Sequence, residues 1–250
     1  MKLTIANQKG GVGKTTTALN LSAALAEMGR RVLLIDLDPQ ANLTAGLDVS
    51  PEDGYSIYDV LIEDTDILSA TYETGVDGLE LVPSVLDLAA IELSLAQDPD
   101  PECLLRAVKP ADGEFDYIVT DCPPYLGQLT VAALRAADRV MVPMTPSVWA
   151  MSGLGKLLES IRTVGAELAG IVLTQYDKRT AVSDDVWNNL MRADLPLYKT
   201  KIPQRVAAEY AAIARVPIQQ YEPDSDIARS YRRLAREVDT SAEATEDGHQ

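Results

Sequence analysis

The chain has 250 residues and a formal net charge of −16, from 38 acidic and 22 basic side chains. This length supports one large hydrophobic core or two small ones, and 46% hydrophobic residues exclude a disordered chain. No apolar run approaches the ~18 residues of a membrane-spanning helix. Two cysteines are too few for a disulfide framework, and a single histidine, His249, excludes catalysis by an internal histidine.

The negative charge is concentrated in one block. Between Asp48 and Asp116 there are 18 acidic residues and two basic ones, so the rest of the chain is neutral. The segment from Lys199 to Arg236 contains eight basic and four acidic residues, which is a local excess of positive charge. The total charge argues against a simple nucleic-acid or anionic-membrane binder, but this local excess does not. Abundant acid, with 14 arginines to eight lysines and one phenylalanine, predicts adaptation to a salty (halophilic) cytoplasm.

Short apolar runs alternate with helical patterns along the chain. Such runs are typical of parallel strands buried on both faces, and we predict strands at Leu3–Ala6, Val32–Ile35, Tyr117–Val119, Val140–Val142 and Ile171–Leu173. Between them we predict helices at Thr16–Met28, Leu126–Ala136, Met151–Val164 and Val182–Met191, the first capped by Gly29. This alternation predicts an α/β fold, a doubly wound, mostly parallel sheet flanked by helices.

The same patterns predict a single domain over residues 1–239. The stretch from about 48 to 110 is predicted as an insertion of helices and loops, interrupted at Asp98–Pro101. Residues 240–250 are polar, acidic and aperiodic, and we predict a disordered tail there.

The segment from Gln8 to Thr16, QKGGVGKTT, joins the first predicted strand to the first predicted helix. Glycines let successive backbone N–H groups approach phosphate oxygens, and the helix N-terminus adds partial positive charge. The lysine of Gly-Lys-Thr reaches the β- and γ-phosphates, and the threonine that follows it coordinates Mg²⁺. The predicted nucleotide-binding residues are Lys9, Gly10, Gly11, Val12, Gly13, Lys14, Thr15 and Thr16.

This loop departs from the usual P-loop pattern at its start. Gln8 replaces the first glycine, and a second lysine, Lys9, precedes the remaining ones. The loop thereby resembles the deviant Walker A motif of the ParA/MinD group, whose signature lysine reaches the phosphates of the partner subunit. The resemblance implies that Lys9 is catalytic together with Lys14, and that the chain forms an ATP-sandwich homodimer.

From Lys2 to about Val238 the chain resembles the ParA/Soj partition ATPases. The matching segments are Ala6–Lys9, Asp36–Gln40, Asp121–Pro124, Leu173–Asp177 and Ile202–Pro203. Carboxylates that follow strand ends beside a phosphate site can hold Mg²⁺ or its waters, which predicts metal roles for Asp36 and Asp121 beside Thr15. The resemblance implies that Asp38 activates the attacking water and that Pro203 contacts adenine.

The family further implies a weak Mg²⁺-dependent ATPase that acts as a switch. It implies ATP and ADP as ligands, a ParB-like stimulating partner, a cytoplasmic protein that joins the nucleoid in its ATP state, and segregation of chromosome or plasmid DNA. Nonspecific DNA binding would use C-terminal basic residues, and four arginines at helical spacing share one predicted helix face. The candidate DNA-binding residues are Arg205, Arg229, Arg232, Arg233 and Arg236.

Some features depart from the family pattern and leave alternatives open. After Ile202–Pro203 the family often has Arg-Asn-Val-Arg, whereas this chain has Gln204–Ala207. A ParA-like ATPase that positions a protein cargo fits the same motifs. A MinD-like membrane-surface ATPase is disfavoured, because the chain ends in acidic residues rather than a basic amphipathic helix. Iron–sulfur relatives are disfavoured because the sequence offers no suitable second cluster-ligating cysteine beside Cys122.

Overall fold

The computed structural model describes residues 1–51, 54–147 and 150–247. Its strands are β1 Lys2–Ile5, β2 Val32–Asp36, β3 Tyr72–Glu73, β4 Leu79–Val82, β5 Tyr117–Asp121, β6 Arg139–Met144 and β7 Glu167–Leu173. Its helices are α1 Lys14–Glu27, α2 Asn42–Gly46, α3 Ile57–Ile62, α4 Leu88–Gln97, α5 Cys103–Ala107, α6 Gln128–Ala136, α7 Ala150–Val164, α8 Ala181–Arg192, α9 Val206–Ile213, α10 Ile218–Tyr221 and α11 Asp226–Asp247. Two 3₁₀ turns lie at Ile67–Ala70 and Lys109–Ala111.

The strands form one seven-stranded sheet in the order β3-β4-β2-β5-β1-β6-β7. All neighbours are parallel except β3 and β4. The doubly wound, mostly parallel fold is therefore confirmed. Because parallel strands end at the same edge, the residues after β1, β2, β5 and β7 are brought together there.

Hydrophobic cores lie on both faces of this sheet. Within β2, Leu33 and Ile35 belong to one core while Val32 and Leu34 belong to the other, as the two-residue period of a strand requires. The second core is closed by α1 and α11, which pack against each other. At the end of α1, Gly29 is left-handed (φ 84°), and its N–H and that of Arg30 bond back to Ala26 and Leu25. This Schellman motif confirms the predicted cap.

All five predicted strands and all four predicted helices are present, with ends shifted by a few residues. The stretch from about 48 to 110 was predicted to contain only helices and loops, which is wrong. It contributes β3 and β4, and β4 pairs along β2 from Val32↔Leu79 to Ile35↔Val82. The predicted break at Asp98–Pro101 does separate α4 from α5.

The C-terminal end differs from the prediction in a second way. We predicted disorder from Thr240, whereas α11 continues through Asp247 and Ala242 still packs on the second core. Residues 248–250, including His249, lie outside the described residues. Near Pro203 the described chain has no regular strand, only a single bridge between Tyr176 and Pro203.

Candidate functional site

The phosphate loop occupies the predicted place between β1 and α1. Gly11 and Gly13 have φ values of 70° and 80°, which L side chains rarely adopt. Gly13 is the N-cap of α1 and offers no side chain to the first helical turn. The N–H groups of that turn are therefore left for an external anion.

Two residues that follow β7 brace this loop. The Thr174 hydroxyl donates to the Val12 carbonyl (2.7 Å), and the Gln175 side-chain amide donates to the Gly11 carbonyl (2.8 Å). In a trans peptide the C=O and the next N–H point in opposite directions, so each anchored carbonyl fixes the N–H that follows it. Thr174 and Gln175 thereby orient the N–H groups of Gly13 and Val12. In the sequence, the only signal for this role is that Thr174 and Gln175 come directly after a predicted strand.

The start of the loop is held from the other side. Asn7 donates to the Pro143 carbonyl (2.7 Å) and accepts the Lys9 N–H (3.0 Å). Gln8, which stands where the usual motif has glycine, donates to the Gly153 carbonyl in α7 (2.7 Å). The departure from the P-loop pattern is thus accommodated by a contact that only a longer polar side chain can make.

The two lysines of the loop have different surroundings. Lys14 is 6% exposed and its ammonium lies 3.5 Å from the Lys9 carbonyl. Burial lowers the pKa of Lys14, while the carboxylates of Asp121 and Asp38 act in the opposite direction. Lys9 is exposed, and its ammonium reaches the Ser147 hydroxyl (3.3 Å) on the loop after β6.

Three aspartates converge at the carboxyl edge of the sheet. Register pairs Asp121 with both Ile5 and Asp36, and Asp38 follows two residues later. Asp36 is fully buried and accepts the Asp38 N–H (3.1 Å) and both the N–H and hydroxyl of Thr44 (2.9 and 2.7 Å). Burial raises the pKa of Asp36 to about 6 against the opposing effect of these bonds.

Asp121 differs from Asp36 in its hydrogen bonding. It is fully buried, and neither carboxylate oxygen has a close hydrogen-bond partner among the described residues. Burial, and then the proximity of Asp36, raise the pKa of Asp121 well above its usual range, although Thr15 and Lys14 lie near enough to oppose this. A buried carboxylate without a hydrogen-bond partner is typical of a site that binds a cation.

These residues fit Mg²⁺, which commonly takes one or two carboxylates, several waters and substrate phosphates. In the described part of the chain no three acidic, Cys or His side chains could hold a metal by themselves. Asp121 with the nearby Thr15 hydroxyl supplies the open ligands, whereas both Asp36 oxygens are already engaged. The geometry favours Asp121 over Asp36 as the direct ligand.

Asp38 is 8% exposed and accepts the Gln40 N–H on one oxygen (3.0 Å). Its second oxygen accepts no hydrogen bond among the described residues, so it is available to a water. Pro203 lines a cavity of about 290 Å³ together with Gly13 and Thr16. The predicted adenine-contacting residue is therefore adjacent to the loop.

The five predicted DNA-binding arginines do not form one free stripe. Arg205 pairs with Asp226, and Arg232 pairs with Glu27 of α1 through two contacts (2.7 and 2.9 Å). Arg229 donates to the Asp224 carbonyl. Sequence spacing places the four arginines of α11 on one face but does not indicate partners from other elements.

Arg233 and Arg236 have no acidic partner in the part of the chain that the structure describes. Both line a groove of about 1190 Å³ beside β7. Four basic residues that the sequence reasoning did not single out share this groove: Lys178, Arg179, Lys199 and Lys201. Lys201 stacks over the rings of Tyr176 and Trp187, 4.6 and 4.0 Å from their centroids.

Comparison with known proteins agrees with this geometry. A family model described as an AAA domain matches residues 1–172. The sporulation initiation inhibitor protein Soj of Bacillus subtilis is 40% identical over 245 residues, covering 94% of this chain and 97% of that protein. The chromosome partitioning protein ParA of Caulobacter vibrioides is 40% identical over 249 residues, covering 94% and 92%.

A solved structure also resembles the whole domain. The crystal structure of cobyrinic acid a,c-diamide synthase from Mycobacterium smegmatis with bound ADP and magnesium has a TM-score of 0.81 and 37% identity, covering 94% of this chain and 92% of that one. The chain has the phosphate loop and the three aspartates, and it is similar to Soj and ParA from end to end. It therefore belongs to the ParA/Soj family of P-loop ATPases.

Proposed function

We propose that this chain is a Mg²⁺-ATP-dependent switch that dimerises around ATP, binds DNA nonspecifically as the dimer and partitions chromosome or plasmid DNA. A ParB-like partner stimulates its weak hydrolysis. The chain works in the cytoplasm and joins the nucleoid in its ATP state. Similarity to Soj and ParA supports the partition role, and residues of the phosphate loop and of the basic groove support ATP-dependent dimerisation and DNA binding.

The observation that carries the proposal is the contrast between Lys9 and Lys14. Lys14 is buried beside Asp121 and Asp38, as expected of a lysine that serves its own nucleotide. Lys9 is rooted in the same loop, but its exposed ammonium meets only a serine hydroxyl among the described residues. A cation placed there is available to the phosphates of a second copy, which makes ATP a bridge between two chains.

The remaining site residues divide the chemistry. The N–H groups of Val12 and Gly13 and the start of α1 bind phosphate oxygens, and Lys14 neutralises their charge. Thr15 and Asp121 would hold Mg²⁺, which would supply positive charge against the phosphates. Asp38 offers its unengaged oxygen to orient a water and accept its proton. Asp36 keeps Thr44 and the Asp38 backbone in place.

Loss of the γ-phosphate contacts would release the segments 36–46 and 121–127, which carry these aspartates, and loosen the dimer. A stimulating partner would act by stabilising the competent arrangement of the same segments.

The basic groove supports DNA binding. Arg233, Arg236, Lys199 and Lys201 present positive charge without sequence-reading geometry, as phosphate contacts require. Asp226 engages Arg205 and Glu27 engages Arg232, so we assign these two arginines a structural role and give Arg233 and Arg236 the phosphate contacts. None of the helices in the described part of the chain could span a bilayer.

A second candidate function comes from the M. smegmatis structure, whose name gives it the synthesis of cobyrinic acid a,c-diamide. Its 37% identity to this chain is close to that of Soj. Nucleotide turnover that requires cobyrinic acid, and is unaffected by DNA and a ParB-like protein, would favour this candidate over partition.

The test compares the two lysines. Lys14→Ala should abolish Mg²⁺-ATP binding, measured with a fluorescent nucleotide. Lys9→Ala should leave most monomer nucleotide binding intact but abolish ATP-dependent dimerisation, measured by light scattering. Lys109→Ala, an exposed lysine in the acidic block, is the matched control. An ATP-dependent dimer that survives Lys9→Ala would refute the trans role.

A further inference from the structure

Glu92 is the only charged residue of α4, and its carboxylate is turned onto another helix. One oxygen accepts the Gln128 N–H (2.5 Å) and the other accepts the Leu129 N–H (3.0 Å). These are the first two residues of α6, whose own N-cap, Gly127, has no side chain to offer. Glu92 therefore caps a helix that begins 36 residues later in the chain.

The glycine at position 127 makes room for this cap. A Cβ atom there would lie 1.9 Å from Glu92 Oε1, 2.7 Å from its Cδ and 2.8 Å from the Tyr125 ring. Any side chain at 127 would push the carboxylate off the helix end. The glycine and the distant glutamate thus form one local structure.

The cap acts on the segment that leads from the metal site. Asp121 ends β5, and residues 122–127 connect it to α6. The Thr130 hydroxyl of α6 donates to the Tyr125 carbonyl in this segment (2.7 Å). Burial, and then the nearby carboxylates of Glu92 and Asp38, raise the pKa of Tyr125. The Tyr125 side chain is thus close enough to be influenced by both the Glu92 carboxylate and the Asp38 carboxylate.

We propose that Glu92 is a positioning residue that ties α4 to the 121–127 segment, so that α4 moves with the segment when the bound nucleotide changes. α4 also packs on α6 and α3, so movement of the segment is passed into residues 48–110. The inference rests on the proposed switch function, because it needs a segment that responds to the γ-phosphate.

Hydrogen–deuterium exchange on the full chain tests it, with Mg²⁺-ADP compared with Mg²⁺ and a non-hydrolysable ATP analogue. In the wild type, exchanging the two nucleotides should change protection over residues 10–16, 121–129 and 88–97. In Glu92→Ala the nucleotide-dependent change in protection should persist at 10–16 and 121–127 but disappear at 88–97. The Gln128 and Leu129 amides should exchange about tenfold faster than in the wild type. Glu92→Gln, which keeps one accepting oxygen, should lie between the two and serves if the alanine variant does not fold.

Glu63→Ala is the matched control, because that carboxylate makes no hydrogen bond or ion pair among the described residues. It should behave as the wild type. A wild-type response at 10–16 without one at 88–97 would overturn the inference and leave the switch intact, and so would an α4 response that survives Glu92→Ala. No response at 10–16 would instead overturn the proposed function.

Discussion

The brace between β7 and the phosphate loop allows a sharp prediction for Thr174→Val. Thr174 is 2% exposed, and its hydroxyl is the only hydrogen-bond donor to the Val12 carbonyl among the described residues. Valine has nearly the same shape as threonine but cannot donate. The substitution therefore removes the bond without opening a cavity, and it releases the peptide unit that carries the Gly13 N–H.

The magnitude follows from the buried carbonyl. Val12 is also 2% exposed, so its carbonyl has little access to water once the hydroxyl is gone. An unsatisfied buried acceptor costs about 1–3 kcal/mol. Nucleotide binding needs the same peptide orientation, so part of this cost is subtracted from the binding free energy of the nucleotide. The expected loss of nucleotide affinity is about fivefold to a hundredfold.

The assay is nucleotide affinity measured on folded protein, together with urea unfolding of each variant without nucleotide. Thr4→Val is the matched control, because the Thr4 hydroxyl is equally buried and donates to the Ala133 carbonyl (2.9 Å) away from the loop. We expect both variants to lose similar unfolding free energy and only Thr174→Val to lose affinity. Equal affinities in the two variants would refute the claim that Thr174 orients the loop.

Four further predictions follow from the same geometry. Thr44→Val should lower kcat for ATP more than it raises KM, measured by phosphate release, because Asp36 loses the hydroxyl bond (2.7 Å) that holds it. Gly127→Ala should reduce unfolding free energy by about 1–3 kcal/mol in urea titrations, since its Cβ has no space beside Glu92. Arg233→Ala should weaken retention of the hydrolysis-deficient Asp38→Ala dimer on duplex DNA at every KCl concentration, whereas Arg232→Ala should not. If the Asp38→Ala dimer were not retained at any KCl concentration, the DNA proposal would be refuted. Stability should rise between dilute buffer and molar KCl, because salt screens the acidic block, and an unchanged melting temperature would refute this.

The sequence predicted the strands that are buried on both faces because such strands are continuous apolar runs. β4 was missed because Leu79–Val82 is short and interrupted by Glu80, and its pairing with β2 and β3 makes it a strand. The same limit applies to the end of α11, where the acidic composition predicted disorder but the helix continues from a well-packed start.

Local sequence pattern predicts only part of the candidate site. The phosphate loop is a contiguous motif after β1, and Asp36 and Asp121 end neighbouring parallel strands, so the sequence predicted that they lie together. The role of Asp38 was implied by the resemblance to the ParA/Soj partition ATPases. Thr174, Thr44 and Glu92 act on groups that lie 162, 8 and 36 residues away in sequence, and only Thr44 is near its target. Ion pairs such as Arg232 with Glu27 depend on helix packing, which spacing along one helix does not reveal.

The net charge of −16 also acquires a different meaning once the sheet order is known. The acidic block contributes β3 and β4 at one edge of the sheet, while the basic groove lies beside β7 at the other. Five strand spacings of ~4.8 Å separate β4 from β7, or about 24 Å, which is several times the ~8 Å screening length at physiological ionic strength. The acidic residues at the β3–β4 edge therefore repel a polyanion in the groove only weakly at that salt. Seven basic side chains line the groove against three acidic ones, Asp177, Asp226 and Glu237, so the groove keeps a net positive charge although the chain as a whole is strongly acidic.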